Sequence, residues 1–257
     1  MRRLRRLIAR RRERWDEGVC VIEGPDLIEA ALDSAVEFET LFVDAAAARL
    51  DATAAVVARA RGAHVRVASL APGVLQRVSD AQTPQPLLAT VHFALSELSD
   101  IKTPGLVLVL DNLRDPGNAG TIIRSADAAG AVALVLSGDC VDPFNPKALR
   151  ASAGSVFHLP LVIASLDETL AYFAARGART FATVVRGGTP YRAADLSGAC
   201  AVVIGNESAG LDDEAVARCD EALSIPMAGR SESLNAAVAA SLIAFEALSQ
   251  RSGTTSA

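Results

Sequence analysis

The sequence predicts an α/β protein in two parts, a small α/β sandwich followed by a domain built on a parallel sheet. Three observations carry that prediction. Residues 106–110, 132–136, 180–185 and 201–204 are continuous apolar runs, the pattern of strands buried on both faces. Helical patterns at 119–129, 166–176 and 212–218 lie between them, as crossovers joining parallel strands require. A polar, proline-bearing stretch at 96–104 separates this half from residues 1–95 and is the candidate linker.

The first part alternates strands and helices. A strand at 18–23 ends in the turn Gly24-Pro25, and Asp26 is placed to cap a helix running to Asp33. A strand at 39–44 precedes an Ala-rich helix at 46–62, stopped by Gly62. A strand at 64–67, a short helix at 71–78, a loop with Pro84 and Pro86, and a strand at 87–93 complete the sandwich. In the second part, 234–248 reads as a long apolar final helix, and 251–257 as a polar tail.

Composition narrows the function. Hydrophobic residues make up 51% and charged residues 21% of 257, the range of a folded soluble chain. No apolar run approaches the roughly 20 residues that cross a bilayer. The cationic N-terminus lacks the apolar core of a signal peptide, so a cytoplasmic location is expected. Cys20, Cys140, Cys200 and Cys219 form no C-x-x-C pair, and His64, His92 and His158 fall in no metal or triad pattern, so no metal site is expected. Phosphate-binding G-x-x-x-x-G-K-[ST], G-x-G-x-x-G after a strand, and G-x-S-x-G are all missing from the sequence.

The net charge of −5 is unevenly spread. Eight arginines (Arg2, Arg3, Arg5, Arg6, Arg10, Arg11, Arg12 and Arg14) stand against one acid, Glu13, with Leu4, Leu7 and Ile8 at helical spacing. An amphipathic basic helix of this kind suits phosphates, and equally a solvated face.

Ligands of open α/β sheets bind at the carboxyl ends of strands, and three loops there stand out. After 106–110 comes DNLRDPGNAGTIIRSA, with Asn118 as a candidate N-cap and Arg124 inside the helix, either functional or snorkelling to solvent. After 201–204 comes GNESAGL, whose glycines permit close backbone approach and whose Glu207 could bind a hydroxyl, cap a helix or sit in a plain turn. After 223–225 comes IPMAGRSESLNAAVAA, where Ser231 or Ser233 could cap the last helix and Asn235 opens an otherwise apolar run.

Together, in this order and spacing, the loops resemble the SpoU (TrmH-like) group of SPOUT RNA methyltransferases over nearly the whole chain. N-x-G-x-I-x-R is present as Asn118, Gly120, Ile122 and Arg124; the second loop is similar to G-N-E-x-x-G-L and the third to I-P-M-x-G-x-x-x-S-L-N. DPFNPKALRAS at 142–152 is similar to a further family loop, and the basic helix followed by VIEGP resembles the L30e-like RNA-binding domain that often precedes this fold. Ser208, where glycine is common, and Gln85-Pro86, where Gln-Gly is usual, are the departures.

The resemblance implies a C-terminal SPOUT domain at 105–250 with a deep trefoil knot, and an RNA-binding domain at 1–95. It implies S-adenosylmethionine held by Val184, Gly205, Ile225, Met227 and Leu234, and catalysis of ribose 2′-hydroxyl methylation by Arg124, Asn118, Glu207, Ser233 and Asn235. Arg124 is the residue the family pattern places at the hydroxyl, either as a perturbed base or as stabiliser of the developing alkoxide. RNA contacts are expected from the eight N-terminal arginines with Lys147 and Arg150. A homodimer is implied, with 23S rRNA the first expected substrate and transfer RNA the second. Methylation of a base, and a non-catalytic RNA-binding or ribosome-assembly role, are the competing readings.

Overall fold

Two units make up the chain in the computed structural model, which describes residues 1–81, 83–101 and 104–254. Positions 102 and 103 of the expected linker and 255–257 of the expected tail lie outside the described residues. One unit comprises Met1–Ala94 with Asp142–His158, the other Leu95–Val141 with Leu159–Ala257.

In the first unit, β1 (Val19–Glu23), β2 (Phe38–Asp44), β3 (Val67–Leu70) and β4 (Leu87–His92) form a sheet of order β1-β4-β2-β3. β4 is antiparallel to both β1 and β2, and β2 is parallel to β3. The arginine block folds as two helices, α1 (Arg2–Ala9) and α2 (Arg11–Glu17), because Arg10 is extended at φ −124°. Leu4 and Leu7 of α1 are buried with Val19, Val21, Leu75 and Leu88.

Arg14 is the exception among the arginines. Its Nε and Nη2 reach Asp142 Oδ2 at 2.7 and 2.6 Å, and Nη1 donates to the carbonyls of Leu7 and Ile8 at 2.6 and 3.0 Å. One buried guanidinium thus closes the carbonyl end of α1, where cations are favoured, and fixes residue 142. Asp142 Oδ1 accepts from Phe144 N at 2.9 Å. Phe144 stacks on Phe93 at 3.9 Å between centroids, and Trp15 meets both edge-on. A short helix (Pro146–Ser152) follows, capped by Asn145, whose Oδ1 accepts from Lys147 N.

Several expectations for this unit are corrected. The helix expected from 46 is α4 (Asp51–Gly62); Asp44 accepts from the N–H of Ala46 and of Gly73, which holds the intervening residues in turns. The strand expected at 64–67 is displaced to Val67–Leu70, because His64 takes a left-handed φ of 59° as the chain leaves α4. Residues 71–78 form tight turns rather than a helix: Gly73 is left-handed at φ 78°, and Val74, Arg77 and Val78 each donate three residues back. Asp26 is not the cap of α3 (Pro25–Asp33); Gly24 holds the cap position and Pro25 starts the helix, as its missing N–H permits.

The second unit is a seven-stranded sheet of order β7-β6-β5-β10-β8-β11-β9, in which every recorded pairing is parallel. Its strands are β5 (Leu106–Asp111), β6 (Ala133–Ser137), β7 (Leu161–Ile163), β8 (Arg179–Val184), β9 (Thr189–Pro190), β10 (Cys200–Ile204) and β11 (Glu221–Ser224). β7 and β9, at 3 and 2 residues, are too short for any periodicity to reveal. Val107, Val109, Ala201 and Val203 pack with Val135, Val162 and Phe173 into one core.

On this sheet sit α5 (Pro116–Ala128), α7 (Leu166–Ala174), α8 (Asp213–Ala217) and α9 (Ala236–Thr254) if the helix of 146–152 is counted as α6. α5 packs on α9, joined by a hydrogen bond between Ser241 Oγ and Ser125 Oγ at 2.7 Å. The caps differ from expectation. Asp115, not Asn118, caps α5, accepting from Asn118 N at 2.8 Å. Asn235, not Ser231 or Ser233, caps α9, accepting from Ala237 N and Val238 N at 2.9 and 3.3 Å.

Candidate active site

A cleft of about 280 Å³ opens at the carboxyl ends of β8, β10 and β11 in the second unit. Val184 ends β8; Gly205 and Glu207 follow β10; Ile225 and Met227 follow β11; Ser233 and Leu234 precede α9. All five residues expected at the cofactor line it, with two of the five expected in catalysis.

Backbone geometry shapes the second loop. Asn206 and Gly210 exchange backbone hydrogen bonds at 3.2 and 2.9 Å, and Asn206 Oδ1 accepts from Ser208 N and Ala209 N. Asn206 Nδ2 donates to the carbonyl of Asn112 at 2.9 Å, tying this loop to the one after β5. A Cβ on Gly205 would lie 2.4 Å from the Gly210 carbonyl carbon and 2.5 Å from Leu211 N, so no side chain fits there. Asn206 was not among the expected site residues; its signal is its place between a buried strand end and Glu207, an Asx turn in a glycine-flanked loop.

Glu207 is the centre of the polar network. Oε1 accepts from Asp115 N at 2.9 Å and from Asn118 Nδ2 at 3.0 Å, and Oε2 accepts from Arg114 N at 3.1 Å. Asn118 Oδ1 in turn accepts from Asn235 Nδ2 at 2.9 Å. Three loops far apart in sequence are thereby locked to one another. Burial raises the Glu207 pKa, but the donors from Asn118, Asp115 and Arg114 outweigh it, and the carboxyl is held below its ordinary range.

Arg124 is exposed on α5 and is not among the lining residues of the cleft; among the described residues it makes no recorded ion pair. The helix is nonetheless the one whose first turn Glu207 and Asn118 hold. Ser233 borders the cleft, where its carbonyl accepts from Ser231 Oγ at 2.8 Å.

The lining suits a particular ligand. Ile204, Leu211, Leu223, Ile225, Met227 and Leu234 offer apolar surface beside backbone loops, as small-molecule sites do. The charged residues that line it are Glu207 and Glu232, with no lysine or arginine among them. A largely apolar ligand that carries positive charge fits this lining. Among the described residues no group of three His, Cys, Asp or Glu could hold a metal ion.

The residues expected to meet RNA lie in the first unit. Arg2, Arg5, Arg6, Arg10, Arg11 and Arg12 are exposed, as is Lys147. Arg3 is engaged by Glu17 and Glu39 at 2.6 and 2.7 Å, and Arg12 by Asp16 at 3.2 Å. Arg150 meets Asp80 at 2.9 Å and Glu23 at 3.8 Å. Arg14, with a side chain only 2% exposed, has no surface to offer a phosphate.

Fold and cleft define an α/β protein with a ligand-sized site at its strand ends. The chain belongs to the SpoU rRNA methylase family, whose model matches residues 105–245. Residues 1–89 match the MRM3-like substrate binding domain. The 23S rRNA (guanosine(2553)-2'-O)-methyltransferase RlmP of Bacillus subtilis is 34% identical over 91% of this chain and 90% of its own length. A 23S rRNA (uridine(2479)-2'-O)-methyltransferase of Streptomyces viridochromogenes is 37% identical over 71% of this chain and 67% of its own. Among solved structures, the SpoU methyltransferase AviRb of Streptomyces viridochromogenes in complex with AdoMet aligns with TM-score 0.89 and 31% identity, covering 97% of each chain. An AdoMet-bound rRNA methyltransferase from Sinorhizobium meliloti aligns with TM-score 0.84 and 32% identity, covering 96% of this chain and 92% of that one.

Proposed function

We propose that this protein transfers a methyl group from S-adenosylmethionine to a ribose 2′-hydroxyl of ribosomal RNA. The observation that carries the reading is the gathering of Val184, Gly205, Ile225, Met227 and Leu234 around one cleft at the strand ends, in a chain of the SpoU family. The names of the relatives support 23S rRNA as the substrate.

Bound S-adenosylmethionine supplies an electrophilic methyl group, so the protein's task is the nucleophile. A ribose hydroxyl is weakly acidic, and its orientation and the charge that develops on it set the barrier. Arg124 brings a fork of five N–H donors and no acceptor, which suits it to stabilise the developing alkoxide while the proton passes to water. Glu207 and Asn118 hold the first turn of α5, and Asn235 ties that turn to the start of α9. These residues act by position: they set α5, and with it Arg124, against the loops of the cleft. Ser233 borders the cleft and is assigned to the substrate side.

RNA docking is assigned to the exposed arginines of α1 and α2, Arg2, Arg5, Arg6, Arg10, Arg11 and Arg12, with Lys147. A homodimer is assigned to α9, where Val238, Leu242 and Phe245 form an exposed apolar stripe at helical spacing, 47%, 38% and 47% accessible. No described helix is long and apolar enough to cross a membrane.

Labelled S-adenosylmethionine mixed with unmodified 23S, 16S and transfer RNA, followed by digestion to nucleosides, tests the reading. Label in a 2′-O-methylnucleoside of 23S rRNA is expected. Label in a base would overturn the chemistry, and label in transfer RNA alone would overturn the substrate.

A further inference from the structure

Glu232 lines the cofactor cleft but has no part in the polar network beside it. The other lining carboxylate, Glu207, is occupied by three N–H donors. For Glu232 no hydrogen bond or ion pair is recorded among the described residues, and Arg230, two residues away, is not part of the lining. The cleft thus carries one uncommitted negative charge and no side-chain cation.

We propose that Glu232 is a specificity-determining residue that favours the charged methyl donor over the spent product. This rests on the reading of the cleft as the S-adenosylmethionine site. Donor and product share adenosine, ammonium and carboxylate groups, and contacts to those groups therefore cannot tell them apart. They differ in one methyl group and in the positive charge on sulfur, which is lost when the methyl group moves to oxygen and sulfur keeps the bonding electron pair. An exposed carboxylate at the cleft wall attracts the sulfonium and is indifferent to the neutral thioether. It therefore weakens product inhibition and helps exchange after each turnover. Because the sulfonium charge fades toward the transition state, this attraction stabilises the bound donor more than the transition state, favouring binding and exchange at a small cost to the chemical step.

Calorimetric binding of S-adenosylmethionine and S-adenosylhomocysteine to the full chain, wild type and Glu232→Gln, tests the proposal. The expected result is donor affinity reduced about three- to fivefold, the scale of a solvent-facing charge pair, with product affinity unchanged. In turnover, KM for the donor should rise while kcat does not fall and rises slightly where chemistry limits the rate. Unchanged product binding also reports that the cleft is intact. Equal losses for both ligands, or no loss for either, would overturn the role of Glu232. Failure of the wild-type protein to bind either ligand would instead overturn the assignment of the cleft.

Discussion

Asn118 donates its side-chain amide to Glu207 at 3.0 Å and accepts from Asn235 at 2.9 Å, bridging residues that lie 89 and 117 positions downstream of it. Glu207→Gln tests this bridge. The new amide must turn a donor toward Arg114 N, Asp115 N or Asn118 Nδ2, leaving one N–H facing another. Glu207 is exposed, so water offsets part of the roughly 1–3 kcal/mol that a buried mismatch costs, and methyl transfer should fall by about a few-fold in single-turnover assays. Wild-type rates in the variant would remove Glu207 from the positioning network.

The same carboxylate makes a pH prediction. Its pKa is depressed in the folded chain, below the ordinary glutamate value near 4.5. Its stabilising effect is therefore complete above that value and is lost as pH falls through the folded pKa. Urea denaturation of wild type and Glu207→Gln should show a stability gap at neutral pH that narrows below about pH 4.5. A gap that widens on acidification would contradict the sign.

Arg124→Ala should lower methyl transfer by at least about 10²-fold, the effect of removing a donor from a developing oxyanion. Arg124 is not part of the cleft lining, so affinity for S-adenosylmethionine should be unchanged. An active Arg124→Ala variant would end its assignment to the hydroxyl.

Strands β5, β6, β8 and β10 were legible in the sequence because burial on both faces leaves an unbroken apolar run. The loops of the cleft were legible as motifs, since their residue types have few other uses in that order. Caps were not: Asp115, Asn118, Ser231, Ser233 and Asn235 all have suitable oxygens, and only loop geometry selects Asp115 and Asn235. Arg14 was hidden among seven similar neighbours, because its partner Asp142 is 128 positions away. The strand slip at His64 came from a left-handed residue that is not glycine, a choice made by the way the chain leaves α4.

Gly205→Ala should weaken S-adenosylmethionine binding by about tenfold or more, through overpacking of about 1–3 kcal/mol. The added methyl would meet the Gly210 carbonyl carbon at 2.4 Å, and backbone cannot give as a side-chain end can. Calorimetry reads the loss directly. Normal affinity would mean that the loop after β10 moves freely.

The last prediction concerns the buried pair in the first unit. Asp142→Ala leaves the Arg14 guanidinium without its carboxylate, at a site where the two side chains are 2% and 3% exposed. Breaking one side of a buried ion pair costs about 3–5 kcal/mol, whereas replacing both partners with apolar residues is often neutral. Urea denaturation should therefore show strong destabilisation in Asp142→Ala and substantial recovery in a double variant, Arg14→Met with Asp142→Leu. Residues 142–158 belong to the same unit as the arginine helices, so the double variant should also retain RNA binding. Arg6→Ala with Arg10→Ala should do the opposite: stability near wild type, weaker RNA binding, and a salt dependence shallower by about one per phosphate contact removed. If Asp142→Ala were as stable as wild type while Arg6→Ala with Arg10→Ala bound RNA normally, the division between a structural arginine and phosphate-facing ones would be refuted.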